Sequence, residues 1–136
     1  MTDPGILFEE AKKAREYSYS PYSRFAVGAA LLTSDGKIIS GCNVENSSFG
    51  ITNCAERTAL FKAVSEGERS FFAIAIAGAK VLPDGTKEEA FCPPCGACRQ
   101  ALLEFCKEDL SVIIGKEDGT YMVTTLGELM PLAFGF

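Results

Sequence analysis

The period of the apolar positions changes repeatedly along this chain. Ile6, Leu7, Ala11, Ala14 and Tyr17 recur at helical spacing with Glu9, Glu10, Lys12 and Lys13 on the opposite face, which predicts a helix from Ile6 to about Ser18. Ser20-Pro21-Tyr22-Ser23 reads as a turn, because proline pushes its predecessor out of the helical region. Residues 25–32 and 37–42 flank the short loop Ser34-Asp35-Gly36, the pattern of two antiparallel strands. Residues 43–53 are polar and irregular, after which helical period returns over residues 54–65 and stops at Gly67.

Residues 71–79 form an Ile- and Ala-rich run, the mark of a central strand covered on both faces. Pro83-Asp84-Gly85 breaks it, and residues 80–91 read as a solvated excursion. Pro94 stands where a helix can begin, with residues 95–105 continuing it. Residues 111–115 and 121–124, parted by Asp118-Gly119, predict two more strands, and residues 126–130 a last helical turn before Pro131. Strands separated by helices imply a three-layer α/β/α domain around a mixed five-stranded sheet, with residues 1–136 as one domain. There is no internal repeat.

Composition narrows the partners. Apolar residues make up 47% of the chain and charged residues 23%, ordinary globular usage. The net charge is -5, and the densest basic cluster is only Lys12, Lys13 and Arg15. Polyanion binding needs a basic patch that releases counterions, so DNA, RNA and anionic membrane are poor partners. Met1-Thr2-Asp3-Pro4-Gly5 has no basic segment followed by an apolar one, and a cytoplasmic location is expected. Six cysteines allow three disulfides in fifteen ways if the chain is secreted. Without a leader, reduced thiols and metal ligation are the expectation.

The chain contains no histidine, so any metal or proton chemistry falls to its cysteines and carboxylates. Cys54-Ala55-Glu56 and Pro94-Cys95-Gly96-Ala97-Cys98 supply three thiols and one neighbouring carboxylate. Zinc held by three protein ligands keeps a position open for water, whereas a structural site closes all four. Cys95 and Cys98 share a helix face, and a helix N-terminus lowers a thiol pKa. Cys54 and Glu56 are two apart and diverge in a regular helix; they meet only if Cys54 lies at the mouth of its helix. Cys-x-x-Cys alone fits redox proteins and zinc ribbons equally. Cys-Ala-Glu with Pro-Cys-x-x-Cys corresponds to the three-cysteine form of the zinc-deaminase signature. Cys92 offers a fourth thiol for a closed site, but Pro93 and Pro94 interrupt the helical face, leaving it a bystander. Cys42 and Cys106 read as small buried hydrophobes.

Four blocks extend this match: residues 21–30 (PYSRFAVGAA), 41–46 (GCNVEN), 53–59 (NCAERTA) and 94–100 (PCGACRQ). On them the sequence resembles the homotetrameric cytidine deaminases of nucleoside salvage. The resemblance implies the cytidine-deaminase fold, zinc on Cys54, Cys95 and Cys98, and hydrolysis of cytidine and 2'-deoxycytidine to the uridines plus ammonia. It implies that Glu56 protonates N3 and then the departing amine. By the same resemblance Arg57 offsets the thiolate charge, Asn43 and Glu45 bind the ribose 3'-hydroxyl, Phe25 packs beside the pyrimidine and the Ala55 N–H meets the base carbonyl. Phe134 would cross into a neighbouring subunit's site.

Each role has a plain alternative: a dipole-complementing first-turn glutamate, an exposed helix arginine, loop polar residues, a core phenylalanine, and a C-terminus packed on its own domain. Phe49 stands where the family often has tyrosine, and residues 80–91 exceed the usual connection. Competing functions are a related deaminase of a nucleotide, a nucleic-acid base or a nucleoside antibiotic, and a non-catalytic zinc or redox module.

Overall fold

The computed structural model describes residues 2–136. Asp3 caps the first helix, α1 (Pro4–Arg15), by accepting from the Gly5 N–H at 3.1 Å, with proline in the first turn where its missing N–H costs nothing. The chain continues through β1 (Phe25–Thr33), β2 (Ile38–Cys42), a single 3-10 turn (Phe49–Ile51) and α2 (Ala55–Ser65). Then come β3 (Phe71–Val81), β4 (Lys87–Ala90), α3 (Gly96–Phe105), β5 (Ser111–Gly115), β6 (Tyr121–Thr125) and the short α4 (Leu126–Leu129).

The sheet order is β2-β1-β3-β5-β6, with β3 and β5 parallel and the other pairs antiparallel. The three-layer α/β/α expectation holds. Residues of β1 and β3 alternate between two clusters, one lined by Leu7, Phe8 and Ala11 of α1 and the other by Ala59, Leu60 and Leu102 of α2 and α3. In β3 this alternation sorts by size: Ala73, Ala75 and Ala77 face α1, while Ile74 and Ile76 face α2 and α3. Small residues let α1 lie close. A Cβ on Gly28 would sit 2.0 Å from the Ala11 carbonyl oxygen, so glycine is what permits that approach.

The sheet has six strands, where five were expected. Residues 80–91 are no solvated excursion. β3 runs on to Val81, Pro83-Asp84-Gly85 turns the chain with Gly85 at φ +87°, and β4 returns antiparallel with Gly78 opposite Ala90. β1 occupies one edge of β3 throughout, so β5 (against residues 73–76) and β4 (against residues 78–81) share the other. Lys-Glu-Glu-Ala carries no apolar alternation; it is held by its hairpin with β3 and by a partner far away in sequence. Glu89 takes two hydrogen bonds from Arg15, at 3.1 and 2.8 Å.

Candidate active site

Two helices begin at the same point. Cys54 is the N-cap of α2 and Cys95 the N-cap of α3, both in extended conformation, and neither thiol caps its own helix. An N-cap side chain normally accepts from the first-turn N–H groups; here both thiols turn to each other, at 3.8 Å, and Cys95 lies 3.3 Å from Cys98. The three Sγ atoms fall within 4.8 Å of one another. The difficulty with Cys54 and Glu56 dissolves, because Cys54 precedes the helix and only Glu56 belongs to its first turn. Cys95 likewise sits at the helix mouth and not on its face.

This geometry fits zinc. Tetrahedral coordination with Zn–S bonds of about 2.3 Å sets sulfurs about 3.8 Å apart, close to the separations found. Three thiols converge among the described residues, the ligand number of a zinc site that keeps a fourth position for water. All six cysteines are free thiols. The Cys54 thiol is lowered to about 5, first by a hydrogen bond from Cys98 and then by Arg57, while Cys98 is raised by holding that proton. Arg57 Nη2 donates to Cys54 Sγ at 3.3 Å, and the two thiols raise the arginine in turn. Two helix N-termini add positive potential where thiolate charge gathers.

Glu56 is buried beside them, 4% exposed. Burial pushes its carboxyl up to about 7, and the Cys54 thiolate adds to the rise. Cys54, Cys95 and Glu56 open onto a cleft of about 290 Å³, also lined by Phe25, Asn43, Glu45, Ala55 and Cys92, with Cys98 buried behind the other two thiols. Seven of the ten residues singled out in the sequence therefore line this cleft, and Arg57 and Cys98 join them through Cys54 and Cys95.

Asn43 is a structural joint as well as a lining residue. Its Nδ2 donates to the Phe25 carbonyl at 2.8 Å, and its Oδ1 accepts from the Val27 N–H at 2.9 Å and from the Ser18 hydroxyl. One Nδ2 hydrogen remains for a ligand. Glu45 accepts from the Tyr22 and Ser23 N–H groups at 3.0 and 3.1 Å and from the Ser23 hydroxyl. Desolvation works against its ionisation, but these bonds prevail and hold the carboxyl below its usual range.

Phe134 is the residue that does not join them. It is 68% exposed, its carbonyl accepts from Gln100 Nε2 at 3.0 Å, and its ring packs on Phe136. Sequence reasoning also set Cys92 aside, yet it walls the cleft, its thiol raised to about 12 chiefly by burial. Only its contact with Gly78, fourteen residues away, reveals this; a Cβ there would lie 2.5 Å from Cys92 Cβ. Cys106 is buried as expected, whereas Cys42 is only half-buried.

Three thiols at paired helix mouths, with a buried carboxyl alongside, define a catalytic-type zinc site. The chain belongs to the family described as the cytidine and deoxycytidylate deaminase zinc-binding region, which matches residues 1–114. It is 52% identical to a cytidine deaminase of Halalkalibacterium halodurans, over 97% of this chain and 94% of that one. A crystal structure of cytidine deaminase from Burkholderia pseudomallei superposes with a TM-score of 0.86 at 49% identity, covering 98% of this chain and all (100%) of the other. That of the Mycobacterium tuberculosis cytidine deaminase gives 0.80 at 38% identity, with 100% of each chain covered.

Proposed function

We propose that this protein is an enzyme that hydrolyses cytidine and 2'-deoxycytidine to the corresponding uridines and ammonia. The observation that carries the reading is the convergence of Cys54, Cys95 and Cys98 with buried Glu56 in a cleft that also presents Asn43 and Glu45. Zinc bound by the three thiolates supplies Lewis acidity that makes water a nucleophile near neutral pH.

Glu56 carries the protons. A carboxyl near 7 both accepts and donates close to neutrality. It takes a proton from the attacking water and passes it to N3 of the pyrimidine as the C4–O bond forms. It then takes the proton of the new C4 hydroxyl and gives it to the exocyclic nitrogen as the C4–N bond breaks, so cytidine and water give uridine and ammonia. Arg57 offsets the net negative charge of three thiolates around a divalent ion, through its hydrogen bond to Cys54. Phe25 flanks the base, the uncapped Ala55 N–H at the start of α2 meets its carbonyl oxygen, and Asn43 and Glu45 offer donor and acceptor to the ribose 3'-hydroxyl. Residues 1–136 act as one catalytic domain.

The cleft is completed by assembly. Leu132, Phe134 and Phe136 are 105%, 68% and 120% exposed, an apolar chain end fitted to a subunit contact. A homotetramer, in which Phe134 enters a neighbour's cleft, accounts for it. Thiolate ligands need a reducing compartment, in keeping with the cytoplasm, and no helix among the described residues is long and apolar enough to cross a membrane.

Glu56→Gln tests the reading. It should retain one zinc per chain and lower kcat for cytidine, followed by ultraviolet absorbance, about 10²–10⁴-fold. Full activity in that variant would sink the assignment. Comparing cytidine, its monophosphate and an oligonucleotide separates the nucleoside reading from its nearest competitors.

A further inference from the structure

Arg15 lies outside the cleft, at the end of α1, and is 5% exposed. Its Nη1 donates to the Gly78 carbonyl at 3.3 Å and to Glu89 at 3.1 Å, and its Nη2 donates to Glu89 at 2.8 Å. Its Nε is buried without a partner. Stability alone gives little reason for this arrangement. A buried ion pair often gains nothing over an apolar pair of equal size, and a buried unpartnered N–H costs stability. What the pair supplies is geometry.

β4 needs that help. Lys87, Glu88, Glu89 and Ala90 are residue types depleted from strands, so beyond the turn at residues 82–86 nothing in their own pattern holds the register. Arg15 distinguishes the alternatives. A two-residue slip keeps the same face of β4 towards α1 but replaces Glu89 by Lys87, a like charge, or by Phe91, which has no acceptor side chain. Only the observed register, with Glu89 opposite Ala79, satisfies the guanidinium.

The register of β4 matters because the next residues of the chain enter the cleft. Cys92, Pro93 and Cys95 all line it, within six residues of Glu89. The two prolines stiffen the intervening chain, and a two-residue slip displaces it by about 6.6 Å. Gly78 is gripped from both sides of the sheet. Arg15 holds its carbonyl from the α1 side, while a Cβ on the other side would meet Cys92 Sγ at 2.8 Å and the Phe25 ring at 3.1 Å.

We propose that Arg15 is a positioning residue for the active site. Paired with Glu89 on the α1 side of the sheet, it locks the register that the hairpin turn begins, sets Cys92 against Phe25 as the apolar wall of the cleft, and delivers Cys95 to the other two thiols. The inference rests on the deaminase reading for its kinetic arm only.

The test compares Arg15→Lys and the double variant Arg15→Met with Glu89→Met against the parent protein. Each is assayed by thermal midpoint, by zinc retention against a chromogenic chelator, and by kcat and KM for cytidine. Methionine replaces the buried pair by apolar groups of similar length, so the double variant should unfold within a few degrees of the parent or above it. It should nevertheless release zinc at about tenfold lower chelator concentration. Its kcat/KM should fall about 10–100-fold, the scale of a small misplacement far from the chemistry, with part of the loss in KM. Arg15→Lys, which keeps the charge but not the two-pronged contact, should fall between them.

Parent-like zinc retention and kcat/KM in both variants overturns the proposal, as does loss of both in proportion to loss of folded protein. If the parent does not deaminate cytidine, the functional reading fails while zinc retention still decides this one.

Discussion

The two ends of the cleft are built by different means. At the metal end, three thiols and Glu56 are fixed by the first residues of two helices and by packing that leaves Glu56 4% exposed. At the sugar end, Glu45 is held by the backbone of residues 22–23, a loop, and beyond it Phe49 and Ile51 are each 68% exposed. The three thiols and Glu56 meet within one chain, while Phe49 and Ile51 stand exposed and the C-terminal aromatics lie elsewhere. On the proposed reading, chemistry is preorganised by regular elements and substrate choice is left to exposed loop segments. Changes at the metal end should therefore strike kcat and metal content, and changes at the rim KM alone.

The largest effect should come from Cys98→Ala. Cys98 is fully buried at 0% exposure, and it sits close to both other thiols. Without it only two thiols converge, so stoichiometric zinc and detectable turnover should both disappear. Metal analysis on the folded variant checks this; one retained zinc per chain would mean that the three-thiol site is wrongly drawn.

Arg57→Gln should act next, lowering kcat/KM about 10–100-fold as partners of metal ligands typically do. The sign of its pH effect comes from charge. Arg57 lowers both the Cys54 thiol and the Glu56 carboxyl, so its removal makes proton loss in the site harder. The acid limb of the kcat/KM profile should move to higher pH. An unmoved limb with unchanged zinc content would return Arg57 to the status of an ordinary helix arginine.

The same contrast explains what could be read from the sequence. Cys54, Glu56, Cys95 and Cys98 were legible because helix mouths and short spacings are local, and so were the flanking strands with their regular apolar periods. β4 was not, since Lys87–Ala90 is polar and the ion-pair partner of Glu89 is Arg15, 74 residues away. Cys92 was set aside because the prolines after it remove it from the helical face. That same break lays it against Gly78, a contact no spacing announces. Arg15 read as part of a basic surface cluster and proves to be buried. Only its distant partner could have shown otherwise.

A smaller change belongs to the sugar end. Glu45→Gln keeps the size of the side chain but gives up one acceptor, against two N–H groups and a hydroxyl that already donate to it. KM for cytidine should rise about tenfold, in line with a hydrogen bond to a charged group, with kcat within about twofold. Measured with 3'-deoxycytidine, the same substitution should cost little, because the hydroxyl it serves is gone. The lowered carboxyl of Glu45 also sets a sign. Its contribution is present above the unfolded value and lost only as pH falls through the folded one. KM of the parent should thus show no titration of this group between about pH 5 and 8.

The smallest effect tests how tolerant the rim is. Phe49 packs edge-on against Tyr22, ring centroids 5.6 Å apart and planes at 74°, and Tyr22 is the residue whose N–H donates to Glu45. Phe49→Tyr adds a hydroxyl at a 68% exposed position, where water already satisfies it. A solvated hydroxyl gains little net energy from a new partner, so KM for cytidine should change by less than about threefold and kcat not at all. A tenfold drop in KM would show that the added hydroxyl finds a buried partner on the nucleoside or on a neighbouring subunit. The rim would then be as preorganised as the metal end, and the division between the two ends would fail where it is weakest.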